Sequence, residues 1–97
     1  MSDIAERLKH LNLNVYTATW CGDCTRLKRW LDEHGIAYQS TNIEEVDGAA
    51  DKLVEETGKR AIPFVHVNDT TWVRGYHKEE PMRFVPEKLI EELLAAG

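Results

Sequence analysis

The chain carries few residues of the kind that staple a small protein together. Of 97 residues, two are cysteine and three are proline. Two cysteines cannot build the disulfide framework of a small secreted scaffold. His10, His34, His66 and His77 have no spacing to the cysteines that suits a four-ligand zinc site, so no metal is expected. Basic residues are not in excess: the formal net charge is −5, against non-specific nucleic-acid binding, which needs a basic surface. No apolar run approaches the roughly 18 residues of a membrane span, so neither nucleic acid nor membrane is an expected partner. The first residues show neither the basic nor the apolar region of a secretory signal, and a cytoplasmic location is expected. Repeats and low-complexity segments are absent as well.

What remains is the composition of a soluble globular protein, with 42% hydrophobic and 30% charged residues. The length suits one domain over residues 1–97, with one modest core. Both cysteines fall in Trp20-Cys21-Gly22-Asp23-Cys24. A strand-like segment, residues 13–19, precedes this motif, and a helix-like segment, residues 25–33, follows it. Cys-x-x-Cys at a strand-to-helix turn marks a thioredoxin-like redox site, and in a reducing compartment such a pair is catalytic or metal-binding more often than structural. Thiol–disulfide exchange needs an attacking thiolate and a second thiol within reach. Cys21 at a helix N-terminus gains from free N–H groups and the positive end of the dipole. Cys24, inside the first turn, should be more buried. Cys21 is therefore the candidate nucleophile and Cys24 the resolving thiol. Gly22 lets the chain turn tightly and leaves a substrate sulfur unobstructed. Asp23 is expected to oppose the Cys21 thiolate: at about 6 Å and an effective dielectric near 40, like charges repel by roughly 1.4 kcal/mol, about one pKa unit. Trp20 is expected to pack beside the nucleophile as a groove wall, and Trp30 and Trp72 to lie in the core or half-buried on the sheet.

The rest of the chain reads as alternating elements. Apolar spacing at Ile4, Leu8 and Leu11 suggests a short helix over residues 2–11. Leu27, Trp30 and Leu31 give the helix after the cysteines one apolar face, and Gly35 caps it. Residues 36–42 alternate as a strand. Residues 48–57 form a helix closed by Gly58, and residues 63–67 and 71–74 a hairpin about Asn68-Asp69-Thr70. Residues 75–86 form a long polar loop. Pro86 opens a last helix with an apolar stripe at Leu89, Ile90, Leu93 and Leu94. The core order is β-α-β-α-β-β-α: an α/β fold whose four-stranded mixed sheet pairs its first two strands in parallel, with about three helices on both faces.

Thr19-Trp20-Cys21-Gly22-Asp23-Cys24 with Arg26-Leu27-Lys28, and Gly58-Lys59-Arg60-Ala61-Ile62-Pro63, resemble the glutaredoxin family over about residues 13–95. The resemblance implies the thioredoxin fold and a cis Ile62–Pro63 bond that turns the Ile62 backbone toward Cys21. It implies substrate or thiol contacts at Trp20, Gly22, Asp23, Lys59, Arg60, Ile62, Pro63, Arg74 and Gly75, with the basic side chains toward a carboxylate. No bound cofactor is implied. The co-substrate would be a low-molecular-weight thiol: glutathione, mycothiol or bacillithiol. Arg74-Gly75-Tyr76-His77-Lys78 departs from the Gly-Gly and Asp of glutathione-using members, matching only at Gly75. Trp-Cys-Gly-x-Cys is similar to mycoredoxins. Phe84-Val85-Pro86-Glu87-Lys88-Leu89 is similar to redoxins recharged by thioredoxin reductase that serve ribonucleotide reductase. Partners implied are proteins with disulfides and one of these donors, with the chain acting as a monomer. An Fe–S-bridged dimer is the remaining alternative.

Overall fold

The computed structural model describes residues 3–97. The chain runs α1 (Asp3–Leu8), β1 (Leu13–Thr17), α2 (Gly22–Glu33), β2 (Gln39–Asn42), α3 (Ala49–Thr57), β3 (Phe64–Val67), β4 (Thr71–Arg74) and α4 (Pro86–Ala96). The sheet order is β2-β1-β3-β4. β1 and β2 are parallel, with Val15 opposite Ser40. β3 is antiparallel to both neighbours, with Val65 opposite Val15 and Val73. The expected core order is present. The N-terminal apolar spacing adds a fourth helix; its expected start at Ser2 lies outside the described residues.

Side-chain alternation along the strands divides the interior in two. Leu13, Val15, Val65, Val67 and Val73 point to a larger cluster with Leu8, Leu27, Leu31, Leu89 and Leu93 from α1, α2 and α4. Tyr16 and Phe64 face a smaller cluster with Leu53 of α3, Ile43, Cys21 and Cys24. The dithiol therefore sits at one end of the smaller cluster, where β1 passes into α2.

Several boundaries differ from the sequence reading, each because a turn takes the end of an element. β1 stops at Thr17 rather than Thr19, since Cys21 N–H donates to Ala18 O at 3.3 Å and closes a turn. α2 begins at Gly22 rather than at residue 25, because Cys21 is its N-cap. β2 begins at Gln39, not at residue 36. Ile36 is spent on closing α2: Gly35 N–H donates to Asp32 O (3.1 Å) and Ile36 N–H to Leu31 O (2.9 Å), around a left-handed Gly35. In the β3–β4 turn, Asn68 and Asp69 both have positive φ (54° and 59°), a conformation their short polar side chains tolerate.

Candidate active site

Cys21 and Cys24 are joined as a disulfide, with Cα atoms 5.2 Å apart. Their environments are unequal. Cys21 is 7% exposed and Cys24 is fully enclosed, at 0%. Cys21 caps α2 from an extended backbone, and its Sγ accepts the Cys24 N–H at 3.1 Å. A donor that would otherwise be orphaned in the first helical turn thus points at the sulfur that would carry negative charge. The Ile62–Pro63 bond is cis, and the Ile62 carbonyl oxygen lies 4.0 Å from Cys21 Sγ.

The expected site residues divide into two groups. Ile62, Pro63 and Gly75 gather behind the cysteines. Gly75 N–H donates to Pro63 O at 2.9 Å, and a Cβ at Gly75 would meet Leu27 Cδ2 at 2.7 Å and both Pro63 Cγ and Pro63 O at 3.2 Å. Only glycine allows so close an approach. Lys59 and Arg60 are exposed beyond the end of α3. Arg74 turns instead to the loop after β4: its Nε donates to Tyr76 O (3.0 Å), its Nη2 pairs with Glu79 (3.0 Å), and its guanidinium stands 5.1 Å from the Tyr76 ring centre.

Three expectations need correction. Trp20 does not pack; it is 70% exposed beside Cys21. Gly22 has no positive φ, and a Cβ there would meet nothing within 4 Å, so the turn does not depend on it. Asp23 is not an unopposed negative charge. Its carboxylate accepts Arg83 Nη2 at 2.7 Å and Arg83 Nε at 3.3 Å, and Arg26 Nη1 at 2.9 Å. The Arg83 hydrogen bond, foremost, holds this carboxyl below its ordinary range, with the charges of Arg83 and Arg26 adding and partial burial opposing.

Arg83 is the residue that sequence reasoning did not single out. It lies 60 positions from Asp23, and no local spacing signals the pairing. The segment that carries it is anchored from within. His77, 2% exposed, accepts the Val85 N–H on Nδ1 at 3.0 Å. Its Nε2 therefore carries the proton and donates to Glu92 Oε1 at 2.9 Å. Phe84 meets the edge of the Trp30 ring, centres 5.8 Å apart. His66 is also buried, under α3, and stacks on Trp72 with ring centres 4.0 Å apart. Its Nε2 has no hydrogen-bond partner. Among the described residues no group of three His, Cys, Asp or Glu side chains could hold a metal ion, and no helix is long and apolar enough to cross a membrane.

Comparison with known proteins supplies the class of this site. The glutaredoxin family model matches residues 13–72. The chain belongs to the glutaredoxin family. The chain is 37% identical over 57 residues to the glutaredoxin-like protein NrdH of Lactococcus lactis (59% of this chain, 78% of the relative). It is 40% identical over 58 residues to a protein of Mycobacterium tuberculosis classed with the glutaredoxins (59% and 69%). Among solved structures, a thioredoxin-like protein aligns over 84% of this chain and all of its own, with a TM-score of 0.63 and 26% identity. A buckwheat glutaredoxin–glutathione complex aligns over 65% of this chain and 60% of its own, with a TM-score of 0.51 and 29% identity. This glutaredoxin is a thiol–disulfide oxidoreductase that carries the disulfide-bonded pair Cys21 and Cys24.

Proposed function

We propose that the protein reduces protein disulfides, and mixed disulfides between a protein and a small thiol, with Cys21 as nucleophile and Cys24 as resolving thiol. The asymmetry of the pair supports these roles: Cys21 keeps a narrow opening to solvent, 7% exposed, with a backbone donor on its sulfur, and Cys24 is fully enclosed. In the reduced enzyme the Cys21 thiolate attacks one sulfur of the target disulfide. A Cys21–target bond forms and the other sulfur leaves as a thiolate, which takes a proton from water. Cys24, deprotonated, then attacks Cys21 Sγ. The target leaves with two electrons and the enzyme is left as the Cys21–Cys24 disulfide. With a mixed disulfide, Cys21 takes over the small thiol and the protein thiol is freed; a second thiol molecule or Cys24 then clears Cys21.

Around this reaction, exposed Trp20 and open Gly22 leave the approach to Cys21 clear, and an extended substrate pairs with the Ile62 backbone before Pro63, a role supported by the Ile62 carbonyl 4.0 Å from Cys21 Sγ. Lys59 and Arg60 supply cationic charge for a small thiol's carboxylate, while Gly75 lets the chain pack closely against Pro63. A second reading, recharging by thioredoxin reductase instead of a small thiol, is supported by the likeness to NrdH proteins and by the commitment of Arg74 to Glu79.

Single-turnover reduction of the oxidised protein, followed by tryptophan fluorescence, tests both. Glutathione, mycothiol, bacillithiol, and thioredoxin reductase with NADPH are the separate donors. Fast reduction by one small thiol is the expected outcome. Reduction by the reductase alone would replace the first reading with the second. Cys21→Ser should abolish all turnover. Cys24→Ser should keep turnover of mixed disulfides and lose that of protein disulfides; the opposite pattern would reverse the assigned roles.

A further inference from the structure

We infer that Arg83 is a positioning residue for the dithiol, acting through Asp23, so that the segment between β4 and α4 governs how readily Cys21 ionises. The inference rests on Cys21 being the nucleophile.

Asp23 occupies the position between the two cysteines, in the first turn of the helix that Cys21 caps. Left alone, its charge would work against a thiolate at Cys21. Two guanidiniums answer it. Arg26 comes from the next turn of the same helix and makes one contact, at 2.9 Å. Arg83 comes from outside the helix and grips both carboxylate oxygens, at 2.7 and 3.3 Å. A two-oxygen grip of this kind is among the most directional pairings available to a carboxylate. With both arginines in place, the cluster beside Cys21 carries one net positive charge. Without Arg83 it is neutral.

The placement of Arg83 is built rather than incidental. On one side, the Arg83 N–H donates to Glu80 O (3.0 Å) and its carbonyl accepts the His77 N–H (2.8 Å), closing residues 77–83 on themselves. Arg83 itself has φ +59°, a left-handed conformation uncommon for arginine. On the other side, Phe84 is seated against Trp30, which lies two turns along the face of α2 that presents Asp23. Buried His77 fixes the base of the loop through Val85 and Glu92. The Tyr76 ring stands 5.6 Å from the Arg83 guanidinium. Asp23 is in turn only 18% exposed at its side chain, so water does not fully screen the pair. The charged groups acting on Asp23 are Arg83 and Arg26; Cys21 itself has the Cys24 N–H and the Ile62 carbonyl beside it.

Opposed signs distinguish this coupling from a general effect of charge. Arg83→Gln should raise the Cys21 pKa by about half to one unit. Adding Asp23→Asn should return it close to the starting value, because Arg26 then leaves the cluster with one net positive charge again. Asp23→Asn alone should move it little, since Arg83 then loses its anchor and swings into solvent. Arg83→Lys should restore part of the effect, with the charge but not the two-oxygen grip. The measurement is the pH dependence of Cys21 alkylation and of thiolate absorbance in the full-length reduced protein with Cys24→Ser, with circular dichroism to confirm the fold. Nucleophilicity rises with pKa and offsets about half of the lost thiolate. Reaction at neutral pH should therefore slow roughly two- to threefold in Arg83→Gln. An unchanged pKa in Arg83→Gln, or the same rise with and without Asp23, overturns the inference while Cys21 remains the reactive thiol. If mapping shows that Cys21 is not alkylated at all, the functional reading fails and the inference falls with it.

Discussion

A histidine ring stacked face to face on Trp72, with one nitrogen unpartnered and α3 above it, makes position 66 sensitive to acid. His66 is 3% exposed. Burial, foremost, holds its pKa below the ordinary 6.5; Lys52 pushes the same way, and Glu56 and Asp69 push back. Glu56 Oε1 is 4.0 Å from Nε2, too far for a hydrogen bond, and its shorter contact is with Trp72 Nε1 at 2.9 Å. The sign follows from linkage. Below about pH 6.5 the unfolded chain takes up a proton at this histidine that the folded chain refuses. The contribution is therefore intact above 6.5 and is lost as the pH falls toward the depressed folded value. His66→Phe keeps the stacked ring and removes the titration. Urea midpoints at pH 7.5 and 5.0 should fall less between those values in His66→Phe than in the wild type. Equal falls would mean that His66 is not excluded from protonation in the fold. Sequence alone placed this residue in a strand but could not say which helix would cover it, and that cover is what depresses its pKa.

At the scale of an element, the start of α2 is both a helix cap and a reactive site. The Cys21 sulfur takes the Cys24 N–H, the task usually given to serine, threonine or aspartate. In a Cys24→Ser background, where no disulfide can form, serine at position 21 should preserve the cap and alanine should not. Chemical denaturation should find the alanine form less stable by about 1 kcal/mol, the usual worth of a capping side chain, with both forms inactive. Equal stability would mean that a capping side chain at position 21 contributes nothing to the fold. Much of this element was legible from local pattern, because capping and dipole effects act within one turn: Cys21 at the N-terminus, Cys24 inside it, Gly35 at the far end. The helix starts at Gly22, three residues before the segment its apolar periodicity marks, because the apolar face does not begin until Cys24 and Leu27. The loop after β4 was legible only as a loop. Its polar composition marks exposure, but its organisation depends on His77 meeting Glu92, Phe84 meeting Trp30 and Arg83 meeting Asp23. These are pairings across the fold that no local period records.

The molecule as a whole keeps its main support apart from its chemistry. The larger cluster joins α1, α2 and α4 to one face of the sheet, and Leu8 at 1% exposure is how α1 contributes to it. The smaller cluster lies on the α3 side, with Leu53 at 0% exposure among the residues around Cys21 and Cys24. Truncating either leucine to alanine should cost about 2–5 kcal/mol, since each leaves a cavity in close-packed surroundings. That is a large part of the 5–15 kcal/mol typical of a domain. The losses should nevertheless differ in what they do to the dithiol. Leu8→Ala removes packing from the cluster that excludes the cysteines, so native-state alkylation of Cys24 in the reduced protein should stay within about twofold of wild type. Leu53→Ala loosens the cluster that encloses Cys24, and its alkylation should quicken several-fold at comparable loss of stability. Parallel acceleration in both variants would show global opening as the route to Cys24, and the two faces of the sheet would then act as one cooperative unit. Acceleration confined to Leu53→Ala would show that the enclosure of the resolving thiol is a local property of the α3 side, adjustable without weakening the support beneath it.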